Sequence, residues 1–440
     1  MNQAVALSLR DSLGQHVEPA RAEENGEGGS GCADLRAALF SVLRRSDQRK
    51  KADQYLSGLL TTQGRKSIRN IATLQGGTAA EQSLHHFISR STWDWQPMRA
   101  ALASFMECVA TQQAWVVQSL PIAKSGTQSV GVGRQLIVDR GQMMNGQLAH
   151  GAWFASEELS VPVGWRLFLP PSWLDDQVQR SRAEIPRGVG EATPWECAIA
   201  TGLEAVQAWG LSAKPVVLDV EVSDPGVAAR SFAKAGVPLL MRIDDRTRLV
   251  PADSARSGSG LGSLTARRIL ESVKGQARPV VWTHPVVPGV CRTTLAVAVP
   301  VRLARSGAGP QPTWLARRSV LLGEWHDDLR RGPARIWLAD LPDTWPSSPG
   351  RLAGSLLRLV KLAEKVGRDV ERVGDRLGLR DFEGRSFPGW HRHMTLASAA
   401  HAEVVLHSGP GESWSSDRSS HKAFYERELG DPLVLPGLSA

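Results

Sequence analysis

The segment PVVLDVEVSDPGVAARSFAKAGVPLLMRI, residues 215–243, decides the fold class. Pro215-Val216-Val217-Leu218-Asp219 is a short apolar run closed by a carboxylate, the pattern of a buried strand. A helix is expected from Asp224 to Ala235, and Val237-Pro238-Leu239-Leu240-Met241-Arg242-Ile243 returns as a second strand. A further helix is expected ahead of it, from about Pro194 to Gly210. Helix, strand, helix, strand at these lengths implies an α/β layer with parallel pairing. An acidic residue at the end of such a strand, as Asp219 is, stands where open α/β sheets place ligand and metal groups.

Upstream, Ala114-Trp115-Val116-Val117 is another short apolar run, and Ser129 to Val138 alternates in part like a half-buried strand. Downstream, strands are expected at Val280–Trp282, Thr294–Val301, Ser319–Leu322 and Arg335–Leu338, and a long amphipathic helix at Leu352–Leu377. At the N-terminal side, Leu35, Leu39, Leu43, Tyr55 and Leu59 recur at helical spacing. Residues 1–33 are polar, acidic and Gly-rich, the composition of a flexible arm, and residues 401–440 end in a polar tail. Ser257-Gly258-Ser259-Gly260-Leu261-Gly262 lacks the Gly-Lys-Ser/Thr of a phosphate loop and reads as a surface linker.

The chain has 440 residues, 42% of them hydrophobic, which suffices for one large or two to three ordinary domains. No run approaches the roughly 18 apolar residues needed to span a bilayer, and no signal-peptide stretch opens the sequence. A cytoplasmic protein without membrane contact is the expectation. Cys32, Cys108, Cys197 and Cys291 stand singly, which excludes a zinc ribbon and argues for free thiols.

The formal charge is +8, and 42 of the 52 basic residues are arginine. Arginine is the better phosphate ligand, although a GC-rich genome gives the same bias. The location of the charge is more informative. Between Arg36 and Asn70 nine basic residues face only Asp47 and Asp53, a local +7. Arg44, Arg45, Arg49, Lys50, Lys51, Arg65, Lys66 and Arg69 are therefore the candidate DNA-binding residues. Short helices about the Gly76-Gly77 break are compatible with a helix-turn-helix-like reader; an ordinary charged bundle face is the competing reading.

Several segments, in order, resemble a known family. Ser125-Gly126-Thr127-Gln128-Ser129-Val130-Gly131-Val132-Gly133-Arg134-Gln135, with Asn145 and Gln147, is similar to a signature of insertion-sequence transposases of the DDE superfamily. So is Leu167-Phe168-Leu169-Pro170-Pro171-Ser172-Trp173-Leu174-Asp175-Asp176. Tyr55 to Lys66, Trp93-Asp94, Ile336 to Pro342, Leu377 to Phe387 and His391 to Leu396 extend the resemblance over about residues 50–400. It implies an α/β, RNase H-like catalytic fold with a β-rich insertion at about 238–345, preceded by a basic helical domain. The implied division is 1–33 arm, 34–110 DNA-binding, 111–400 catalytic type and 401–440 tail.

The resemblance also implies three metal-binding carboxylates, on the first strand, a later strand and the long helix. Only the second is present, as Asp219. The first position carries Gln118, and the third, counted back from Gly378, is Gly367; the lysine expected seven residues further on is Gly374. Glu364 and Glu371 lie one turn either side of Gly367, about 5.4 Å away along the helix. A neutral amide cannot supply the charge that holds a dication. The first reading is thus a transposase-like DNA-binding protein with an incomplete catalytic triad, domesticated as a regulator. An active transposase using Asp219 with Glu364 or Glu371, Mg and an unusual first ligand is the alternative, and a remnant without a role is the third. DNA is the expected partner, and a homodimer is compatible with each reading.

His391-Arg392-His393 and His401 lack a cysteine or paired carboxylate at ligand spacing and read as packing residues. Trp325-His326-Asp327-Asp328 reads as an exposed turn, and Asp175-Asp176 as a charge pair at a helix start. No Gly-x-Ser-x-Gly elbow is present, which leaves a serine hydrolase unsupported.

Overall fold

The computed structural model describes residues 30–137, 141–252, 263–284, 290–303, 317–325, 332–346 and 348–407. Residues 1–29 of the expected arm, the Ser257–Gly262 linker, residues 326–328 of the expected turn and the tail beyond 407 lie outside them; within them three expectations are corrected, since residues 30–33 begin a helix, Trp325 is buried at the end of a strand and residues 401–407 are helical rather than tail.

The described residues open with five helices: α1 (Ser30–Ser41), α2 (Ser46–Thr61), α3 (Ile68–Thr73), α4 (Thr78–Ser89) and α5 (Gln96–Val109). Between α3 and α4 the backbone turns through Gly76 (φ 121°) and Gly77 (φ 67°), conformations that a side chain resists. The sheet begins with β1 (Ala114–Ala123), β2 (Gly133–Ile137), β3 (Gln142–Ala155) and β4 (Ser160–Leu167), of which β1, β2 and β4 each pair antiparallel with β3. The alternation expected from Ser129 starts as a strand only at Gly133, because Gly131 takes φ 77° and the chain turns there. After the short helices α6 (Pro171–Asp175) and α7 (Gln177–Arg182) comes α8 (Pro194–Gln207), whose Thr193 and Glu196 form a capping box. Asp176 caps α7 by accepting from the Val178 and Gln179 amides.

β5 (Val216–Glu221), α9 (Pro225–Lys234) and β6 (Leu239–Arg242) follow, with β5 parallel to both β1 and β6. The segment that opened the sequence reading is the parallel centre of the sheet. β7 (Arg248–Pro251), β8 (Leu264–Thr265), α10 (Ala266–Val273), β9 (Arg278–Thr283), β10 (Cys291–Leu303), β11 (Arg318–Trp325) and β12 (Arg335–Leu341) continue the same sheet beyond β6. The order is β2-β3-β1-β5-β6-β12-β11-β10-β7-β8, with β4 beside β3 and β9 beside β10.

Side-chain alternation assigns the two faces. Val117 of β1 points at Gly202 of α8, where an added Cβ would lie 3.3 Å from it and 2.9 Å from Phe232. Gln118, the next residue, points at the opposite layer and at α11 (Pro349–Asp369). The long helix expected at 352–377 ends earlier, at Asp369, and passes into a π-helical turn at Val370–Gly374. Gly374 is fixed by packing: a Cβ there would meet Leu379 Cδ1 at 2.5 Å.

The last helix of the described residues, α12 (Phe387–His407), is buried around most of its circumference, between β4 and the N-terminal helices. Arg99 of α5, 1% exposed, donates to Trp165 O (2.9 Å) and Thr395 Oγ1 (2.9 Å), and burial lowers its pKa to about 10. Arg36 of α1 pairs with Glu403 of α12 at 2.6 Å. No helix among the described residues is long and apolar enough to cross a membrane, and Cys108, Cys197 and Cys291 are free.

Candidate functional site

Gln118 and Asp219 are register partners on the parallel strands β1 and β5, so their side chains leave the same face of the sheet. Gln118 Nε2 donates to Asp219 Oδ2 at 3.0 Å and lies 3.4 Å from Ala363 O of α11. A Cβ placed on Gly367, one turn on, would lie 3.4 Å from the same Nε2. The three positions identified in the sequence therefore converge. The strand register is broken after Leu218, at Asp219 and Val220, a bulge of the kind that re-aims a side chain.

Asp219 has company that sequence reading missed. Its side chain is 5% exposed, and its Oδ1 faces Arg242 Nη1 at 3.4 Å and Arg335 Nη1 at 3.7 Å. That oxygen makes no hydrogen bond; the guanidiniums compensate it by charge. Arg242 closes β6 and Arg335 opens β12, strands that reach the centre only when the sheet is assembled. Arg242 carried a usable signal, a charge at the end of an apolar strand, as Asp219 is.

The two glutamates considered as substitutes stand apart. Glu364 pairs with Lys361 Nζ at 2.7 Å, and that ammonium also holds the buried Glu324 of β11 at 2.5 Å while lying 4.4 Å from the Trp282 ring centroid. Glu371 is exposed on the π-helical turn. Magnesium takes hard oxygen ligands, generally including carboxylates. The groups on Asp219 are instead an amide N–H and two guanidiniums, and among the described residues no three His, Cys, Asp or Glu side chains are grouped to hold a metal. This donor set does not fit the two-metal arrangement that the sequence resemblance implies.

The candidate DNA-facing residues divide. Arg44, Lys50 and Arg69 are exposed and make no ion pair among the described residues. Arg45 forks onto Asp47 (2.9 Å), Arg49 donates to Leu43 O (2.6 Å), Lys51 to Gln54 Oε1 (2.9 Å), and Arg65 pairs with Glu383 at 2.7 Å. Lys66 is a correction. It is 5% exposed, its ammonium donates to Thr62 O, and its backbone N–H donates to Asp381 Oδ2 at 2.7 Å. Burial lowers its pKa. It is a packing residue beneath Gly378, whose φ of +81° and 2.7 Å approach to Lys66 Cβ leave no room for a side chain there.

The family-like segments explain one another in space. Lys124 donates to Arg380 O (3.1 Å) and Phe382 O (2.7 Å), Gln147 to Val130 O (2.6 Å), Asn145 to Lys124 O (2.6 Å), and Trp173 to Val132 O (2.8 Å). Tyr55 and His393 share a 2.8 Å hydrogen bond, and His393 Nε2 lies 2.8 Å from Gly378 O. These residues bind the loops to the sheet. Burial holds His150 down to about 3 and His393 and His401 down to about 4, so all three are neutral packing groups near pH 7.

The sequence profile of the DDE superfamily endonucleases matches residues 38–305. The chain belongs to the DDE endonuclease superfamily. Its mixed sheet, with β5 parallel to β1 and β6 and helices on both faces, is the RNase H-like fold. The match carries Gln118 and Asp219 and ends before α11 and Gly367. Among solved structures, the chain is similar to a piggyBac transposase synaptic complex with hairpin DNA determined by cryo-EM. Identity is 9% and the TM-score 0.39, with 93% of this chain and 84% of that chain covered. No match was found among curated proteins.

Proposed function

We propose that this member of the DDE superfamily binds DNA without cutting it, as a transposase-derived protein retained for occupancy of a site, with regulation of a neighbouring locus as its role. The observation that carries the reading is the centre itself. Gln118 and Gly367 converge on Asp219, and Arg242 and Arg335 supply the positive charge that a carboxylate set would take from metal ions. The exposed Arg44, Lys50 and Arg69 supply charge for phosphate contacts, which dominate DNA affinity.

The active alternative needs Glu364 or Glu371 at Asp219. Glu364 would have to leave Lys361, and Glu371 would have to come in from an exposed turn. The test is purified full-length protein with linear DNA ends, with EDTA, Mg²⁺ or Mn²⁺. Binding in all three, without nicking, is expected. Metal-dependent nicking abolished by Asp219→Ala would overturn the reading.

A further inference from the structure

Arg65 and Glu383 make a contact that neither helix spacing nor strand register dictates. Arg65 precedes α3, Glu383 lies between the π-helical turn and α12, and Nη2 of the first meets Oε1 of the second at 2.7 Å. The side chains are 44% and 56% exposed, so a solute can reach either one. An exposed ion pair ordinarily contributes little, because two long side chains must be ordered to form it. Here the backbone is already held at both ends. Asn70 Nδ2 donates to Arg65 O at 2.9 Å, and the next amide, Lys66 N–H, donates to Asp381 Oδ2 at 2.7 Å. On the other side, Ser129 Oγ donates to Glu383 O at 3.2 Å and Lys124 Nζ to Phe382 O at 2.7 Å. What remains to be ordered is the two side chains alone.

The pairing sets Arg65 apart from its basic neighbours. Arg44, Lys50 and Arg69 are exposed without an ion pair among the described residues. Arg45 is paired, but with Asp47 two residues away, an acid that travels with it. The acid on Arg65 comes from the sheet domain. A guanidinium edge that donates to a carboxylate is the edge that would donate to a phosphate. The two acids therefore exclude one another at Arg65.

We infer that Glu383 is an autoinhibitory residue, whose carboxylate holds the Arg65 guanidinium and must be displaced before a nucleic-acid phosphate can take it. The contact is a clasp as well as a competitor. Glu383 and Asp381 hold the consecutive residues Arg65 and Lys66, so the segment 378–383 is fastened to the N-terminal helices at two adjacent points. A phosphate at Arg65 opens the outer point and leaves the inner one closed. The inference rests on the DNA-binding reading above and adds no new contact to it; it names the group within the chain that opposes one.

The test is a double-variant cycle on full-length protein with a duplex oligonucleotide, read by fluorescence anisotropy at low salt, where surface charges are least screened. Both exchanges fall at exposed positions, and thermal melts check that each variant is folded. Glu383→Gln should tighten binding by about two- to fivefold, the range of an exposed ion pair, and Arg65→Gln should weaken it. In the Arg65→Gln background, Glu383→Gln should change nothing, because the guanidinium it competes for is gone. Equal tightening in both backgrounds overturns the inference, since it reports only one negative charge fewer on the protein. A Glu383→Gln variant that binds as wild type does, or more weakly, overturns it too. Either result leaves the DNA-binding reading standing, whereas a wild type that binds no DNA removes that reading and the inference together.

Discussion

Asp219→Asn separates a charge-compensated centre from a metal centre by the sign of one stability change. Where several carboxylates crowd together to await cations, neutralising one relieves repulsion and stabilises the metal-free protein. Here Asp219 is 5% exposed between Arg242 (14% exposed) and Arg335 (42% exposed), at 3.4 and 3.7 Å. Breaking a fully buried ion pair costs about 3–5 kcal/mol. Neither contact is a hydrogen bond and one arginine is half in water, which discounts the expected loss to about 1–3 kcal/mol. Asparagine keeps the shape and can still accept from Gln118 Nε2, so the charge alone is removed. At roughly 2 cal/mol/K of unfolding entropy per residue, a chain of this length loses about 1 °C in Tm for each kcal/mol. Urea unfolding and thermal melts of wild type, Asp219→Asn, Arg335→Gln and the double variant give the coupling directly. The double variant should cost less than the sum of the singles. Asp219→Asn melting at or above wild type, in metal-free buffer, would refute the argument.

The two helix glycines should behave oppositely. Gly367→Ala has room at 3.4 Å from Gln118 Nε2 and should stabilise by about 0.5–1 kcal/mol, whereas Gly374→Ala drives a methyl into Leu379 and should destabilise by about 1–3 kcal/mol; urea midpoints compare them. The buried histidines set an acid limit. Their folded pKa values of about 3 to 4 lie below the unfolded value near 6.5, so the unfolded chain takes up protons first and stability falls as pH drops from about 6.5 towards 4. Each of the three should cost on the order of 2 kcal/mol by pH 5; a urea midpoint unchanged between pH 7.5 and pH 5 would count against their burial. Lys66→Met should leave the salt slope of DNA binding unchanged, whereas Arg44→Ala/Lys50→Ala/Arg69→Ala should lower it by up to about 0.9 per contact. Lys361→Met strips the buried Glu324 of its ammonium and should cost about 3–5 kcal/mol, read by thermal melts.

What could be read in the sequence was whatever local pattern determines. The β5–α9–β6 unit announced itself by apolar runs of strand length, and the positions of Gln118, Asp219 and Gly367 followed from motif spacing along β1, β5 and α11. The charges completing the centre were hidden because they are paired across the sheet. Arg335 lies 3.7 Å from Asp219, yet no local pattern links them. Lys361 could be joined to Glu364 by helix spacing, but its buried partner Glu324 belongs to a distant strand. Lys66 failed as a DNA contact for the same reason: its neighbours gave it a basic context, while Asp381 and Gly378, far along the chain, bury it. Gly374, where the resemblance places a lysine, lies so close to Leu379 that a Cβ would stand 2.5 Å from its Cδ1, a contact that motif spacing does not reveal.

That contact at Gly374 also ranks the substitutions by which the family's expected side chains would be installed in this chain. Carboxylates at 118 and 367 need two substitutions on surfaces that already meet, whereas a side chain at 374 must first displace the end of Leu379, 2.5 Å from where its Cβ would stand. The step at 374 is the one limited by packing rather than by chemistry.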